Sequence, residues 1–271
     1  FPAAPRPDQA VEARNAPFAK RSLGQNFLQD KNVARRIVES LAAEPGDVVL
    51  EIGPGRGALT EHLAAKPLDR LVLIEKDAAL AEALIQRWPQ AEVLTTDALA
   101  FPWEDLGRYG PRTGAGRLRL VGNLPYNIAS PLMWEIVSRT DEYARAAFMV
   151  QLEVARRLTA RPACGEYGAL TVWIQTFVIP EMLCVVGPGV FRPRPKVDSA
   201  VVRLIPKAPD LLTARDAGRF AHIVQSAFAQ RRKMLRNNLK GILDDAGFAA
   251  LGIATTLRPE DLPLEDYVRI A

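Results

Sequence analysis

Short, continuously apolar runs alternate with helically spaced segments through the first half of the chain. Asp47–Ile52 (DVVLEI), Leu71–Glu75 (LVLIE), Glu92–Thr95 (EVLT), Leu118–Val121 (LRLV) and Ala146–Val150 (AAFMV) read as strands. Most lack the polar alternation of a half-exposed strand, which is the pattern of strands covered on both faces. Ala58–Ala65, Ala78–Arg87 and Pro131–Ser138 read as the intervening helices, and Asp30 as the cap of a helix that runs to Leu41 with Val33, Ile37, Val38 and Leu41 inward. Strands alternating with helices predict an α/β fold with a parallel, doubly wound sheet. Met182–Val186 and Ser199–Ile205 are two further β-rich runs, joined by the stiff crossing segment GPGVFRPRPKVD, and predict a terminal antiparallel hairpin. Glu104–Gly116 reads as a polar surface loop. Pro206 and Pro209 mark a linker, and Thr213–Ala271 carries only helical patterning. The division that follows is an N-terminal arm over 1–19, a sheet domain over 20–207 and a small all-α domain over 208–271. The arm holds Pro2, Pro5, Pro7 and Pro17 without an apolar core, and Asp8 and Glu12 interrupt its positive charge, so it reads as mobile and as neither signal nor transit peptide.

Composition narrows the chemistry. Hydrophobic residues make up 48% and charged residues 24% of the 271, which suits a soluble globular protein. No apolar run approaches the roughly 18 residues of a membrane-spanning helix. Cys164 and Cys184 are the only cysteines, too few for a thiolate zinc site or a disulfide framework, and they fit a reducing cytosol. His62 and His222 are the only histidines and lie far apart, which disfavours a histidine triad or a metal site. The net charge is only +4, yet its placement is uneven. Arg219–Lys240 carries six Lys/Arg and no acid; Arg192, Arg194 and Lys196 form a second cluster; Lys20, Arg21, Lys31, Arg35 and Arg36 form a third. Any one is ordinary as a solvated face, but three together favour a polyanionic partner.

The candidate chemistry sits at the ends of the strands, where ligands of open α/β sheets bind. Asn123-Leu124-Pro125-Tyr126 follows the fourth strand. The Asn123 amide oxygen and the Leu124 carbonyl can each accept one hydrogen of an exocyclic amine. Pro125 stiffens the backbone without adding a donor, and Tyr126 offers a flat face for a ring. A tight turn closing a strand would use the same residue types. Gly53-Pro54-Gly55-Arg56-Gly57 lies between a strand and a helix, the place for a loop that lets a ligand approach backbone N–H groups, and Glu75 ends the next strand where an acid can grip ribose hydroxyls. This much fits a dinucleotide fold as well, because Ala58 completes G-x-G-x-x-A. Two acids favour S-adenosylmethionine. Asp97 closes the third strand, where it can accept from an adenine amine. Glu51 precedes the glycine loop, where a carboxylate suits the cationic amino-acid end of that cofactor and repels a pyrophosphate.

Taken in order, Ser22–Leu28 (SLGQNFL), EIGPGRG, IEKD, TTDAL, VGNLPYNI, FRPRPKVDSAVVRL and Ser226–Leu239 (SAFAQRRKMLRNNL) resemble the rRNA adenine dimethyltransferases, and the last segment resembles the bacterial small-subunit enzymes. The resemblance implies a class I methyltransferase (Rossmann-like) sheet with a helical C-terminal domain. It implies transfer of methyl groups from S-adenosylmethionine to the amines of two adjacent adenines in a small-subunit (16S) rRNA loop, by a cytoplasmic monomer acting on the pre-30S subunit without a metal. Asn26, Leu28, Gly53, Gly55, Glu75, Asp97 and Asn123 would then enclose the cofactor. Asn123, Leu124, Pro125 and Tyr126 would hold the target base, with Phe191 as the candidate for its second face. Arg231, Arg232 and Lys233 would meet rRNA phosphates. Read on its own residues, Phe191 is a hydrophobic plug beneath the hairpin, and GQNFL a loop entering a helix. A retained methyltransferase fold serving as a transcription or ribosome-assembly factor is the competing class, and an NAD oxidoreductase a third.

Overall fold

The computed structural model describes residues 25–112, 114, 116–207 and 216–271. The predicted arm, Lys20, Arg21, residues 22–24 of the SLGQNFL segment and Pro209 of the linker lie outside them. Seven strands form the main sheet: β2 (Val48–Ile52), β3 (Arg70–Glu75), β4 (Glu92–Thr95), β5 (Leu118–Asn123), β6 (Arg145–Gln151), β7 (Val178–Val186) and β9 (Ser199–Pro206). Their order is β4-β3-β2-β5-β6-β9-β7. The first five are parallel, and β9 runs antiparallel between β6 and β7. The predicted doubly wound sheet and its antiparallel hairpin are both present. The order reverses at β2, which pairs with β3 on one side and β5 on the other, and that reversal opens a crevice at the strands' carboxyl ends.

Alternation along each strand builds two cores. Val48, Leu50 and Ile52 of β2 join Val72, Ile74, Leu118 and Leu120 on one face. Val49 joins Leu71, Leu73 and Val121 on the other, beneath α1 (Lys31–Ser40). The sequence of α1 explains its placement: Asp30 caps it by accepting from the Asn32 and Val33 amides, and Ala34, Ile37 and Val38 are buried. Short α2 (Thr60–Leu63) and α3 (Ala78–Arg87) cover the same face through Leu63 and Leu84.

The opposite face carries α4 (Ala129–Val137), α5 (Leu152–Leu158) and α6 (Ala169–Phe177), and α7 (Ala217–Phe228) packs on α6. The Phe220 ring lies 6.0 Å from Trp173 and 6.3 Å from Phe177. With α8 (Leu235–Asn238), α9 (Asp245–Leu251) and α10 (Leu264–Ile270), the C-terminal part is helical throughout its described residues. Phe220, Leu235, Phe248 and Tyr267 belong to the same continuous core as the sheet, so these helices have no separate interior.

Three expectations need correction. The stretch 104–116 is not simply a surface loop: Trp103–Tyr109 forms a 3-10 helix whose Trp103 and Leu106 enter the core. GQNFL does not run straight into a helix, because Phe27–Leu28 makes a short strand, β1, antiparallel to β8 (Phe191–Arg192) in the hairpin crossing. Phe191 stands opposite Leu28 with none of its surface exposed, packed into the core under α1. It is the plug, not an open face for a base.

One buried ionic cluster secures the end of the sheet away from the crevice. Asp47 Oδ2 accepts from Arg119 Nε at 2.5 Å and from the Glu44 amide at 2.8 Å, and its Oδ1 accepts from the Arg117 amide at 2.7 Å. Arg119 also donates to the Leu41 carbonyl at 2.7 Å. The cluster ties the start of β2 to β5 and to the end of α1. Burial raises the Asp47 carboxyl, but the Glu44 and Arg117 amides and the Arg119 guanidinium outweigh it and hold it below its ordinary 3.8. The stabilisation is therefore complete above that value and lost as pH falls through the folded one. Arg119→Met should cost about 3–5 kcal/mol by stranding a buried carboxylate, and should flatten the acid limb of stability against pH in urea titrations. Phe191→Ala should cost about 3–5 kcal/mol in the same assay, as a core truncation does. A loss under about 1 kcal/mol would take the ring out of the core.

Candidate active site

The crevice is lined from four strand ends and from the N-terminal segment. Asn26, Leu28, Gly53, Gly55, Glu75, Asp97, Asn123, Leu124, Pro125 and Tyr126 all border it, so ten of the residues named from sequence share one site. Parallel register brings them together: Ile52 pairs with Ile74 and Gly122, and Glu75 with Thr95, so the four strands end nearly level.

The glycine loop turns through three left-handed residues, Gly53, Gly55 and Gly57, with φ of 65°, 58° and 81°. A Cβ on Gly57 would lie 2.1 Å from the Trp88 ring, so that position has no room for a side chain. The Gly55 amide donates to Glu75 Oε2 at 3.0 Å and the Asp77 amide to Oε1 at 2.9 Å, which fixes the carboxylate plane. Burial nonetheless pushes the Glu75 carboxyl up, against the pull of those amides. Arg56, at the loop's tip, lays its guanidinium over Phe27 at 4.6 Å from the ring centre and joins the loop to the N-terminal segment.

Glu51 is 1% exposed and accepts from Thr60 Oγ1 at 2.7 Å. Burial pushes its carboxyl up to about 8, and the Glu75 charge adds to the rise while Thr60 opposes it. Asp97 stands at the rim, where Lys76 Nζ donates to Oδ2 at 2.6 Å and the Leu99 amide to Oδ1 at 3.0 Å. The Lys76 bond, foremost, holds the Asp97 carboxyl below its ordinary value.

Asn123 is anchored rather than free to spin. Its Nδ2 donates to the Asn26 carbonyl at 3.0 Å, which leaves Oδ1 as the amide's acceptor. The Leu124 amide donates to the Met149 carbonyl at 3.0 Å, and the Pro125 carbonyl accepts from Ile128 at 3.1 Å, so the tetrad is a fixed turn. The half-buried Tyr126 shares a hydrogen bond between its hydroxyl and Ser199 Oγ at 2.9 Å, and burial raises the phenol. Sequence reasoning missed Ser199 and Thr60. Ser199 lay inside a recognised motif, and Thr60 inside the predicted helix Ala58–Ala65, but neither carried a signal for its partner.

The basic cluster lies outside the crevice and its members differ. Arg231 donates to the Tyr167 and Gly165 carbonyls at 2.8 and 3.1 Å and pairs with Glu260 at 3.3 Å. It clamps the helical part to the segment before α6. Arg232 and Lys233 are exposed and form no ion pair with any described residue. Among the described residues no group of three or more His, Cys, Asp or Glu could hold a metal, and no helix is long and apolar enough to cross a membrane.

The geometry agrees with comparisons to known proteins. The family model for ribosomal RNA adenine dimethylase matches residues 18–271. The "Ribosomal RNA small subunit methyltransferase A" of Nitratidesulfovibrio vulgaris is 47% identical over 94% of this chain and 96% of its own length. That of Chromobacterium violaceum is 46% identical over 93% and 94%. Among solved structures, the 23S rRNA methyltransferase ErmE superposes with a TM-score of 0.65 at 27% identity, over 90% of this chain and 98% of the other. A dimethyladenosine transferase from Plasmodium falciparum shares the fold, with a TM-score of 0.73 at 24% identity over 90% and 95%. With one family model covering nearly the whole chain, and the acids, the glycine loop and the Asn-Leu-Pro-Tyr turn gathered in one crevice, the chain belongs to the ribosomal RNA adenine dimethylase family.

Proposed function

We propose that this chain uses S-adenosylmethionine to dimethylate two adjacent adenines of small-subunit (16S) rRNA, acting as a cytoplasmic monomer on the pre-30S subunit. The observation that carries the reading is the anchored Asn123. Its amide nitrogen is held by Asn26, which leaves its oxygen as the acceptor of the pair, and Asn123, Leu124 and Tyr126 line the crevice together. The residues present fit the cofactor. Glu51, Glu75 and Asp97 give a carboxylate-rich crevice suited to a cation with ribose hydroxyls and an adenine amine, and ill suited to a pyrophosphate.

When bound, the cofactor supplies a methyl group already activated by its sulfonium. The protein's task is alignment. An adenine amine is a weak nucleophile because its lone pair is delocalised into the ring. Two acceptors, Asn123 Oδ1 and the Leu124 carbonyl, draw its hydrogens and localise that pair on nitrogen, and the Tyr126 ring, steadied by Ser199, supports one face of the base. The base leaves its stack to reach them. After transfer the amine's proton passes to water, so no strong base is required.

On the partner side, Arg232 and Lys233 are proposed to meet rRNA phosphates, and Arg192, Arg194 and Lys196 to lie along the RNA near the crevice, since β8 pairs with β1 at its edge. The direct test is transfer of labelled methyl groups to unmethylated small subunits, with nucleoside mass spectrometry for dimethyladenosine. Asn123→Ala should lower single-turnover transfer by about 100-fold or more at saturating cofactor, because aligned acceptors act on the transition state; near-normal turnover would remove the amine-orienting role. Arg232→Ala with Lys233→Ala should reduce the slope of log affinity against log salt by about 0.7–0.9 per lost contact. Arg231 stays in place in that variant because it holds the fold. An unchanged slope would move the RNA footprint to Arg192, Arg194 and Lys196.

A further inference from the structure

Glu51 is the one acid of the crevice floor that the chemistry above leaves without a task in the ligand-free protein. It sits on the same face of β2 as Val49, with 1% of its surface exposed. Its hydrogen-bond partner is the Thr60 hydroxyl, itself wholly buried, at 2.7 Å. No Lys or Arg among the described residues pairs with it. An isolated buried carboxylate is costly to ionise, and the usual remedy is a counterion or a proton.

The charged groups around it do not supply the counterion. Glu75, from β3, faces it with the same sign and is the charge that acts on it. Arg56 of the glycine loop lies over Phe27. On α2, Glu61 turns outward to Lys31 and Arg87 at 3.2 and 3.4 Å, with His62 next in sequence. Lys76 and Asp97 satisfy each other at 2.6 Å. From β5 the neighbouring side chains are Val121 and the neutral Asn123.

We infer that Glu51 and Thr60 form a proton-linked cation seat: Glu51 is protonated in the ligand-free crevice and ionises when the cationic end of the cofactor enters, with Thr60 setting the pH at which it does so. The inference rests on the cofactor reading above. In the step the Glu51 O–H bond breaks, its electron pair stays on the carboxylate and the proton goes to solvent. The Thr60 hydroxyl donates to the ion that remains. Cofactor capture is then coupled to release of a proton, and affinity climbs with pH until Glu51 is ionised without help.

Burial pushes the free carboxyl up to about 8, and a cation within contact range lowers it by about two units. Titration calorimetry in two buffers of different ionisation enthalpy counts the protons. At pH 7 the wild type should release more than Glu51→Gln, by roughly half a proton or more per S-adenosylmethionine bound, and the difference should fall to zero near pH 8. Relative to that variant, wild-type affinity should rise about tenfold between about pH 6 and pH 8. The comparison stops there because the cofactor's own amine titrates nearby and is coupled to Glu51 in the pair. Thr60→Val should move the midpoint upward, and Thr60→Ser should restore it.

A second readout needs no ligand. A carboxyl raised from 4.5 to about 8 stabilises the fold fully below the lower value, and this contribution is lost as pH rises through the upper one. Glu51→Gln should remove that decline from the stability–pH curve. Equal proton counts for wild type and Glu51→Gln, with cofactor bound by both, overturn this inference alone. A wild-type protein that retains no cofactor overturns the cofactor reading and this inference with it.

Discussion

The parallel register of β2 with its two neighbours is the constraint on which the rest of the molecule depends. Because Val48–Ile52 pairs residue for residue with β3 and β5, the glycine loop, Glu75 and Asn123 emerge level with one another. A slip by one residue would also turn the side chains of β2 to the opposite face, putting Glu51 into the larger core and Leu50 beneath α2. Asp47 and Arg119 guard against that slip from the other end. Their geometry is satisfied in one register only, since Asp47 must reach Arg117, Arg119 and Glu44 together. A costly buried ionic group thus serves the alignment of a site more than a dozen ångströms of strand away, at about 3.3 Å per residue.

The helical C-terminal part belongs to the same mechanical unit. Phe220 lies against Trp173, Tyr267 donates to the Pro259 carbonyl at 2.7 Å, and Arg231 fastens the segment before α6. Any surface on these helices is therefore tied to the crevice through one shared core. Arg231 shows how a sequence cluster can mix roles: three adjacent cations read alike, yet one is consumed by backbone carbonyls while two face solvent.

Much of this was legible in the chain. The buried strands announced themselves through unbroken apolar runs such as VVL and LVLI, and the glycines and acids were spaced to meet at strand ends. What escaped was set by long-range packing. Phe191 carries no mark in its neighbours of whether it faces a ligand or Leu28; only the β1–β8 pairing decides it. Leu106 was hidden in a polar, glycine-containing stretch and Trp103 stood just before it, and these two apolar anchors suffice to bury a 3-10 turn. Helices α5 and α6 went unassigned, and β7 begins at Val178 and runs through Pro180, a residue an edge strand tolerates. Thr60 and Ser199 were invisible for a simpler reason: a hydroxyl's partner cannot be read from its type.

The pairing of Leu28 with Phe191 carries a consequence for the order in which the molecule is made. One wall of the crevice comes from the beginning of the chain and its backing from the hairpin crossing, late in the sheet. Contacts so distant in sequence form only after the intervening chain has collapsed, because closing so large a loop is entropically costly. On the ribosome, residues 26–28 emerge early and wait for the crossing segment before they can be held. The Asn123 side chain has the same dependence, since its Asn26 anchor lies 97 residues upstream. The crevice is thus among the last features to be completed, since its wall at Phe27–Leu28 is secured only once the crossing segment at Phe191–Arg192 is in place.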